Sequence, residues 1–194
     1  MDMQTEKKVK IINKTIDSML KSGKGLSEVT LTDVAKELSM PLSELTHFFQ
    51  SVEDVFLNEQ RRVNLKLEKY IDLQLEKAKN ANEVKNILDG LLREFVDLLP
   101  KNSSAVLAAT FYLPLCLKER KRAKEEYRKK LRKIIKKGWP GKVEHVLERQ
   151  TDLVLLSIYG FYDYCSGLTS KERKVMLNDL SNMLNLHLQD RLFF

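Results

Sequence analysis

Apolar residues recur along most of this chain at the three- and four-residue steps that line one side of an α-helix. Val9, Ile12, Ile16, Met19 and Leu20 mark a first helix, closed by a turn at Gly25-Leu26. Val34, Ala35 and Leu38 mark a second. Thr30 or Thr32 serves as its N-cap, with Asp33 favoured by the positive end of the helix dipole. Ser39-Met40-Pro41 stops it, because proline cannot continue a helix but can open the next one. Leu45, Phe48 and Phe49 then anchor a short third helix. A long helix is predicted from Val52 to about Lys79, with Val55, Phe56, Val63, Leu67, Tyr70, Ile71 and Ala78 inward and Asn80-Ala81-Asn82 at its end.

A helix over 82–99 (Val84, Ile87, Leu88, Leu91, Leu92, Phe95, Leu98, Leu99) stops at Pro100. Another starts after Ser103-Ser104 and contains Ala105 to Leu117, with a kink expected at Pro114. A basic helix over 118–137 follows, with Ala123, Tyr127, Leu131, Ile134 and Ile135 at helical spacing; Gly138-Trp139-Pro140-Gly141 ends it. Two final helices, about 142–166 and 169–192, are joined by Gly167-Leu168-Thr169-Ser170, where Thr169 or Ser170 caps the second ahead of Glu172. The first is apolar nearly all round from Leu153 to Tyr162, which predicts burial on more than one side. Seven Gly and four Pro in 194 residues argue for helices throughout. The expected fold is all-α, one small domain joined to a larger one.

Two helices joined by a three- or four-residue break, as over 30–49, form the frame of a helix-turn-helix, whose second helix lies in the DNA major groove. Asp33-Val34-Ala35, Leu45, His47-Phe48-Phe49, Ser51 and Glu53-Asp54-Val55, with the preceding helix and its turn, resemble the DNA-binding end of the TetR family of transcriptional regulators over about residues 8–58. The resemblance implies a helix-turn-helix domain over 1–51 and a helical ligand-binding and dimerisation domain over 52–194. It also implies DNA contacts from Thr30, Thr32, Pro41, Leu42, Ser43, Glu44, Thr46, His47 and Phe48. Three family phosphate-contact positions are changed here: Glu44 replaces Thr or Ser, Thr46 replaces Tyr, and Val52 replaces Lys. His47 is retained.

Charge complicates the picture. The net +7 comes from residues 118–137, which hold +9, while residues 1–60 hold −3 and the expected recognition segment Pro41–Phe49 has no Lys or Arg. Phosphate contacts dominate DNA affinity, so binding weaker or more partner-dependent than usual in the family is expected. Helix N-termini at Thr30 and Val52 offer backbone N–H groups to phosphates. Lys7, Lys8 and Lys10 are read as a flexible basic arm. The helix over 118–137 has three readings: a solvated face whose stems cover apolar neighbours, a set of cations for an acidic ligand or protein, and a contact for nucleic acid or an anionic membrane.

The family resemblance implies that the last two helices form a four-helix interface with a second copy. The residues expected there are Leu155, Ile158, Val175, Met176, Leu180, Met183, Leu184 and Leu188; completion of a monomeric core is the other reading. It further implies an apolar effector chamber between the middle helices. Candidates are Leu88, Leu92, Phe95, Phe111, Tyr112, Cys116, Tyr127, Trp139, Tyr159 and Tyr162, which are equally the ordinary filling of a core. A few hydroxyls in an apolar lining suit a hydrophobic or aromatic small molecule.

No catalytic pattern is present: His47, His145 and His187 lie on separate helices, without HExxH, nucleophile elbow or glycine-rich phosphate loop. His145 near Glu144 and Glu148 reads as a solvated surface group rather than a metal site. Cys116 and Cys165, in apolar surroundings without metal-ligand spacing, read as buried free thiols. LVLLSIYGFY over 153–162, the longest apolar run, falls short of the ~20 residues a membrane span needs, and a cytoplasmic protein is expected. The reading is therefore a homodimeric, ligand-responsive regulator, in the sense of a repressor, that binds palindromic double-stranded DNA and needs no cofactor, metal, enzymatic activity or membrane. The alternative is a dimeric ligand- or protein-binding module of the same fold with weak or lost independent DNA binding.

Overall fold

A computed structural model describes residues 3–22, 28–98, 109, 111–165 and 168–192. Among these are eight helices and no strand: α1 Met3–Ser22, α2 Leu31–Glu37, α3 Leu42–Phe48, α4 Val52–Lys77, α5 Ala81–Asp97, α6 Pro114–Gly138, α7 Glu144–Cys165 and α8 Ser170–Leu192. The all-α expectation holds. Gly25-Leu26, Leu99-Pro100, Ser103-Ser104, Ala105 to Ala108 and Gly167 lie outside the described residues, as do the side chains of Val9, Met19, Leu20 and Phe95. No helix among the described residues is long and apolar enough to cross a membrane.

The chain packs as two compact units, one of residues 1–63 with 100–121 and one of 64–99 with 122–194. The expected boundary after residue 51 therefore falls inside the first unit. The reason is physical: Val52, Val55, Phe56 and Leu57 from α4, with Ala109 and Cys116, close the same core as Ile11, Ile12 and Ile16 of α1, Val34 and Ala35 of α2, and Leu45 and Phe49. The apolar stripe of α4 cannot be separated from the three helices that cover its beginning.

Local chemistry sets the ends of the short helices. Thr30, not Thr32, caps α2: its hydroxyl accepts from the Asp33 N–H at 3.2 Å, and its own N–H donates to the Asp33 carboxylate at 3.0 Å. At the other end, the N–H of Met40 donates to the Ala35 carbonyl and that of Ser39 to the Lys36 carbonyl, both at 3.0 Å, closing a Schellman motif. Ser39 sits at φ 51°, the left-handed position where glycine is usual. Pro41 then opens α3. Ser51 accepts from the Asp54 N–H at 3.1 Å at the start of α4.

One expectation is corrected here, and a second, the kink at Pro114, falls partly outside the described residues: residues 111 and 112 are helical, 113 is a bend, and Pro114 opens α6, where its missing N–H is not needed. Lys7, Lys8 and Lys10 are not a flexible arm, because they lie within helix α1.

In the second unit, Ala123, Tyr127, Leu131, Ile134 and Ile135 of α6 turn into a core with Leu67 and Ile71 of α4, Leu88, Leu91 and Leu92 of α5, and Leu147, Val154, Leu155 and Ile158 of α7. Gly138 closes α6 against α5, where a Cβ would stand 2.8 Å from Val84 Cγ2. Thr169, not Ser170, caps α8, accepting from the Glu172 N–H at 3.3 Å.

Ser39→Gly should raise the unfolding free energy by ~0.5–1 kcal/mol, since a side chain in the left-handed region costs about that much more than glycine there. Ser39→Val should lower it. Urea denaturation checks both, and a Gly variant less stable than the parent would contradict this account of the turn.

Candidate functional site

Helix α3 buries Leu45 and tucks Phe49 in behind it, which leaves Pro41, Leu42, Ser43, Thr46 and His47 exposed. Glu44 and Phe48 are half-buried on the flank facing α1. The Lys7 ammonium of α1 pairs with the Glu44 carboxylate and lies 5.7 Å above the Phe48 ring. The Thr46 hydroxyl donates to the Ser43 carbonyl at 3.1 Å, and the His47 and Phe48 rings meet edge to face at 5.4 Å. Thr30 and Thr32 are exposed at the start of α2. The nine expected DNA residues thus share one unit, and six of them (Thr30, Thr32, Pro41, Leu42, Ser43, Thr46) together with His47 are open to solvent, with Glu44 and Phe48 half covered. Lys7 is a residue the sequence reading placed wrongly; the i to i+37 pairing has no local signal.

The start of α6 is tied to the same unit. The Leu115 N–H, one of the orphan donors of a helix N-terminus, donates to the Glu53 carboxylate at 2.7 Å. Cys116 is fully buried beside it, and burial, with Glu53 and Glu119 nearby, pushes its thiol up to about 12. Phe111 and Tyr112 are exposed, 46% and 79%. These three were expected in an effector chamber. They are corrected: Cys116 belongs to the core of the first unit, and Phe111 and Tyr112 to its surface, Phe111 under the Arg120 guanidinium at 4.3 Å.

The second unit encloses a cavity of about 10 Å³, lined by Leu67, Ile71, Leu91, Tyr127, Leu131, Leu155 and Ile158. That is room for about one water. Of the expected chamber residues whose side chains are described, only Tyr127 lines it, with its hydroxyl donating to Asn64 Oδ1 at 2.9 Å. Leu88, Leu92 and Trp139 are buried in the core, and Tyr159 and Tyr162 are half-buried, Tyr159 under the Lys124 ammonium at 5.8 Å.

A larger apolar groove of about 400 Å³ lies open on α7 and α8, lined by Ser157, Gly160, Phe161, Tyr164, Met176, Asp179, Leu180 and Met183. Leu156, Tyr164, Val175, Met183 and Leu186 are each more than half exposed on these two helices. Among the residues expected at a subunit interface, Val175, Met176, Leu180 and Met183 lie on this outer face. Leu155, Ile158, Leu184 and Leu188 do not; they are buried within the chain's own core, at most 4% exposed, because the second apolar stripe of α7 and its partner on α8 are used to close the unit.

Five carboxylates of α4 and α7 pair with cations of the basic helix. Arg122 pairs with Glu68 at 2.9 Å and Lys130 with Asp72 at 2.7 Å on α4, while Lys137 donates to the Leu75 carbonyl at 2.6 Å. Towards α7, Arg128 holds Asp152 at 2.6 Å, and Arg132 holds Glu148 at 3.0 Å and also Glu144, which Lys136 meets at 3.2 Å. The Arg132 hydrogen bond, followed by that of Lys136, holds the Glu144 carboxyl below the usual range. Glu144 and Glu148 thus face cations, and no group of three His, Cys, Asp or Glu side chains among the described residues is placed to hold a metal.

No described sequence family matches the chain, and no curated protein does. Solved structures do. A candidate transcriptional regulator of Pseudomonas aeruginosa PAO1 superposes with a TM-score of 0.71 at 11% identity, over 98% of this chain and 96% of that one. The transcriptional regulator FadR of Bacillus subtilis, in complex with stearoyl-CoA, gives 0.62 at 14% identity over 93% and 96%. A candidate TetR-family transcriptional regulator of Mesorhizobium loti MAFF303099 gives 0.62 at 14% identity over 99% and 98%. All three are described as transcriptional regulators, two of them as candidates, and the likeness in fold extends over nearly the whole chain.

Both thiols are buried and pushed upward by desolvation. The native protein should therefore react with a thiol reagent at pH 8 only as fast as it unfolds, whereas the denatured chain reacts at once with both. Rapid stoichiometric labelling of the native protein would show that one of these cores opens.

Proposed function

We propose that this chain, which has the TetR-type regulator fold, is a ligand-responsive DNA-binding regulator that acts as a homodimer on a palindromic operator. The observation that carries the reading is the exposed face of α3 on a fully packed helix-turn-helix, with Ser43 and His47 outermost and every large apolar residue except Leu42 turned away from solvent or onto α1. A helix held in this way can enter the major groove without unfolding anything. Repression, by occlusion of a promoter, is the sense we assign.

The groove on α7 and α8 supports the second copy. A face with Leu156, Tyr164, Val175, Met183 and Leu186 each more than half exposed is larger than the scattered apolar residues normal on a monomer. The same patch on two subunits is self-complementary about a two-fold axis, which suits a palindrome. The apolar cavity of the second unit is the proposed effector site. Its all-apolar walls favour a hydrophobic or aromatic compound, and stearoyl-CoA, held by the Bacillus subtilis structure, belongs in any screen.

A second reading has its own support. Residues 1–60 carry −3 and α3 has neither Lys nor Arg, so a module of the same fold with weak or lost DNA binding is the competitor. A fluorescence titration with the DNA flanking its own gene, at low ionic strength, separates the two. Saturable, salt-sensitive binding that falls on His47→Ala supports the regulator. No binding at any salt favours the competitor.

The interface has a test that leaves the subunit untouched. A Cβ at Gly160 would meet nothing within 4 Å, so Gly160→Trp fills only the groove. By light scattering the parent chain should be a dimer and the variant a monomer with the same helical circular dichroism, melting lower than the parent because the stabilisation from association is lost. A variant that remains dimeric would place the interface elsewhere.

A further inference from the structure

Helix α3 has no Lys or Arg of its own, and among the described residues Lys7 of α1 brings a cation to it. Lys7 meets Glu44 and covers the Phe48 ring, and the two charged side chains keep 42% and 39% of their surface in solvent. With Leu45 and Phe49 inward and Ser43 and His47 turned away from them, Glu44 stands on the shoulder of the exposed face, at a position where the family resemblance implies a phosphate contact that a carboxylate cannot make. A duplex surrounds a helix in its major groove with phosphate charge on both sides. That field attracts the Lys7 ammonium and repels the Glu44 carboxylate.

We propose that Glu44 is the specificity-determining residue of the DNA-binding face: it keeps Lys7 from phosphates on indifferent sequence and releases it where Glu44 meets a cytosine amino group. The proposal rests on the DNA-reading function above. Lys7 can reach a phosphate only by leaving Glu44, and a bare carboxylate among phosphates costs about what the new contact contributes. On arbitrary sequence the exchange gives no net gain. In the major groove, cytosine N4 is the base-edge donor that a glutamate accepts from. There the carboxylate regains a hydrogen bond while Lys7 moves to the backbone, and only that sequence benefits. Discrimination arises from a penalty on the wrong partner rather than from extra affinity for the right one.

Glu44→Gln, Lys7→Ala and the double variant, each with a melting temperature near that of the parent, provide the test. Each is titrated with a random-sequence duplex over a salt series. Glu44→Gln removes the charge and keeps the size. It should tighten random-sequence binding roughly tenfold and steepen the salt dependence by about 0.9, the value of one added phosphate contact. Lys7→Ala in that background should return the slope to that of the parent. Selection from a randomised duplex pool should enrich a C·G pair at one position of each half-site for the parent. For Glu44→Gln that preference should shift to A·T, since glutamine pairs with adenine. An unchanged slope for Glu44→Gln, or a selected site without a fixed cytosine, overturns the proposal and leaves DNA reading intact. Absence of salt-sensitive binding by all four proteins overturns DNA reading and this proposal with it.

Discussion

Seven residues do not sustain a helix in water, since the nucleation cost is not recovered below ~12–15 residues. Helix α3 exists because Leu45 and Phe49 are driven into a core already supplied by α1, α2 and the start of α4. Each buried side chain of that size contributes roughly 1.5–3 kcal/mol. Their direction then fixes every other side chain on α3. With Leu45 and Phe49 inward, the helical period turns Ser43 and His47 outward and leaves Glu44 and Phe48 against α1. The exposed face is thus a consequence of two apolar residues, and the pairing of Glu44 with Lys7 follows from the same rotation.

The positive charge obeys a different rule. Residues 118–137 hold +9, yet the carboxylates of Glu68 and Asp72 on one side and of Asp152, Glu148 and Glu144 on the other meet the cations of α6. Exposed pairs of this kind are each worth only about 0–1 kcal/mol. They do not hold α6 in place; its apolar stripe does. What they achieve is a match of register, because the carboxylates of two neighbouring helices fall opposite the cations of the third. Five carboxylates of neighbouring helices against a net +9 leave a positive balance on α6.

Much of the fold was legible because helical period, proline, and capping residues are local signals. Val52, Asn80 and the Gly138 break fall within a few residues of the observed ends. The errors share one cause. Lys7 as part of an arm, and the share of α4 that packs with the first three helices, both required knowing what packs against what over long separations. The interface residues show it most clearly. A helix apolar nearly all round, as α7 is from Leu153 to Tyr162, does not declare which side faces its own core. Leu155 and Ile158 face inward, Leu156 and Gly160 outward, and the sequence pattern alone gives both sets the same weight. The aromatic candidates fail similarly: the family resemblance offers Phe111 and Tyr112 as chamber walls, but only tertiary packing decides that they lie on the surface of the first unit.

A cavity of about 10 Å³ has no room for an effector as it stands. A ligand shifts an equilibrium only by its difference in affinity for the two states. A compound that filled a chamber equally well in both states would regulate nothing. The walls formed by Leu67, Ile71, Leu91, Tyr127, Leu131, Leu155 and Ile158 come from four different helices. An effector of any useful size has to part them, so its binding is inseparable from a rearrangement of the second unit. The free energy of opening is subtracted from the affinity of the effector, and the same quantity is what makes the proposed response possible.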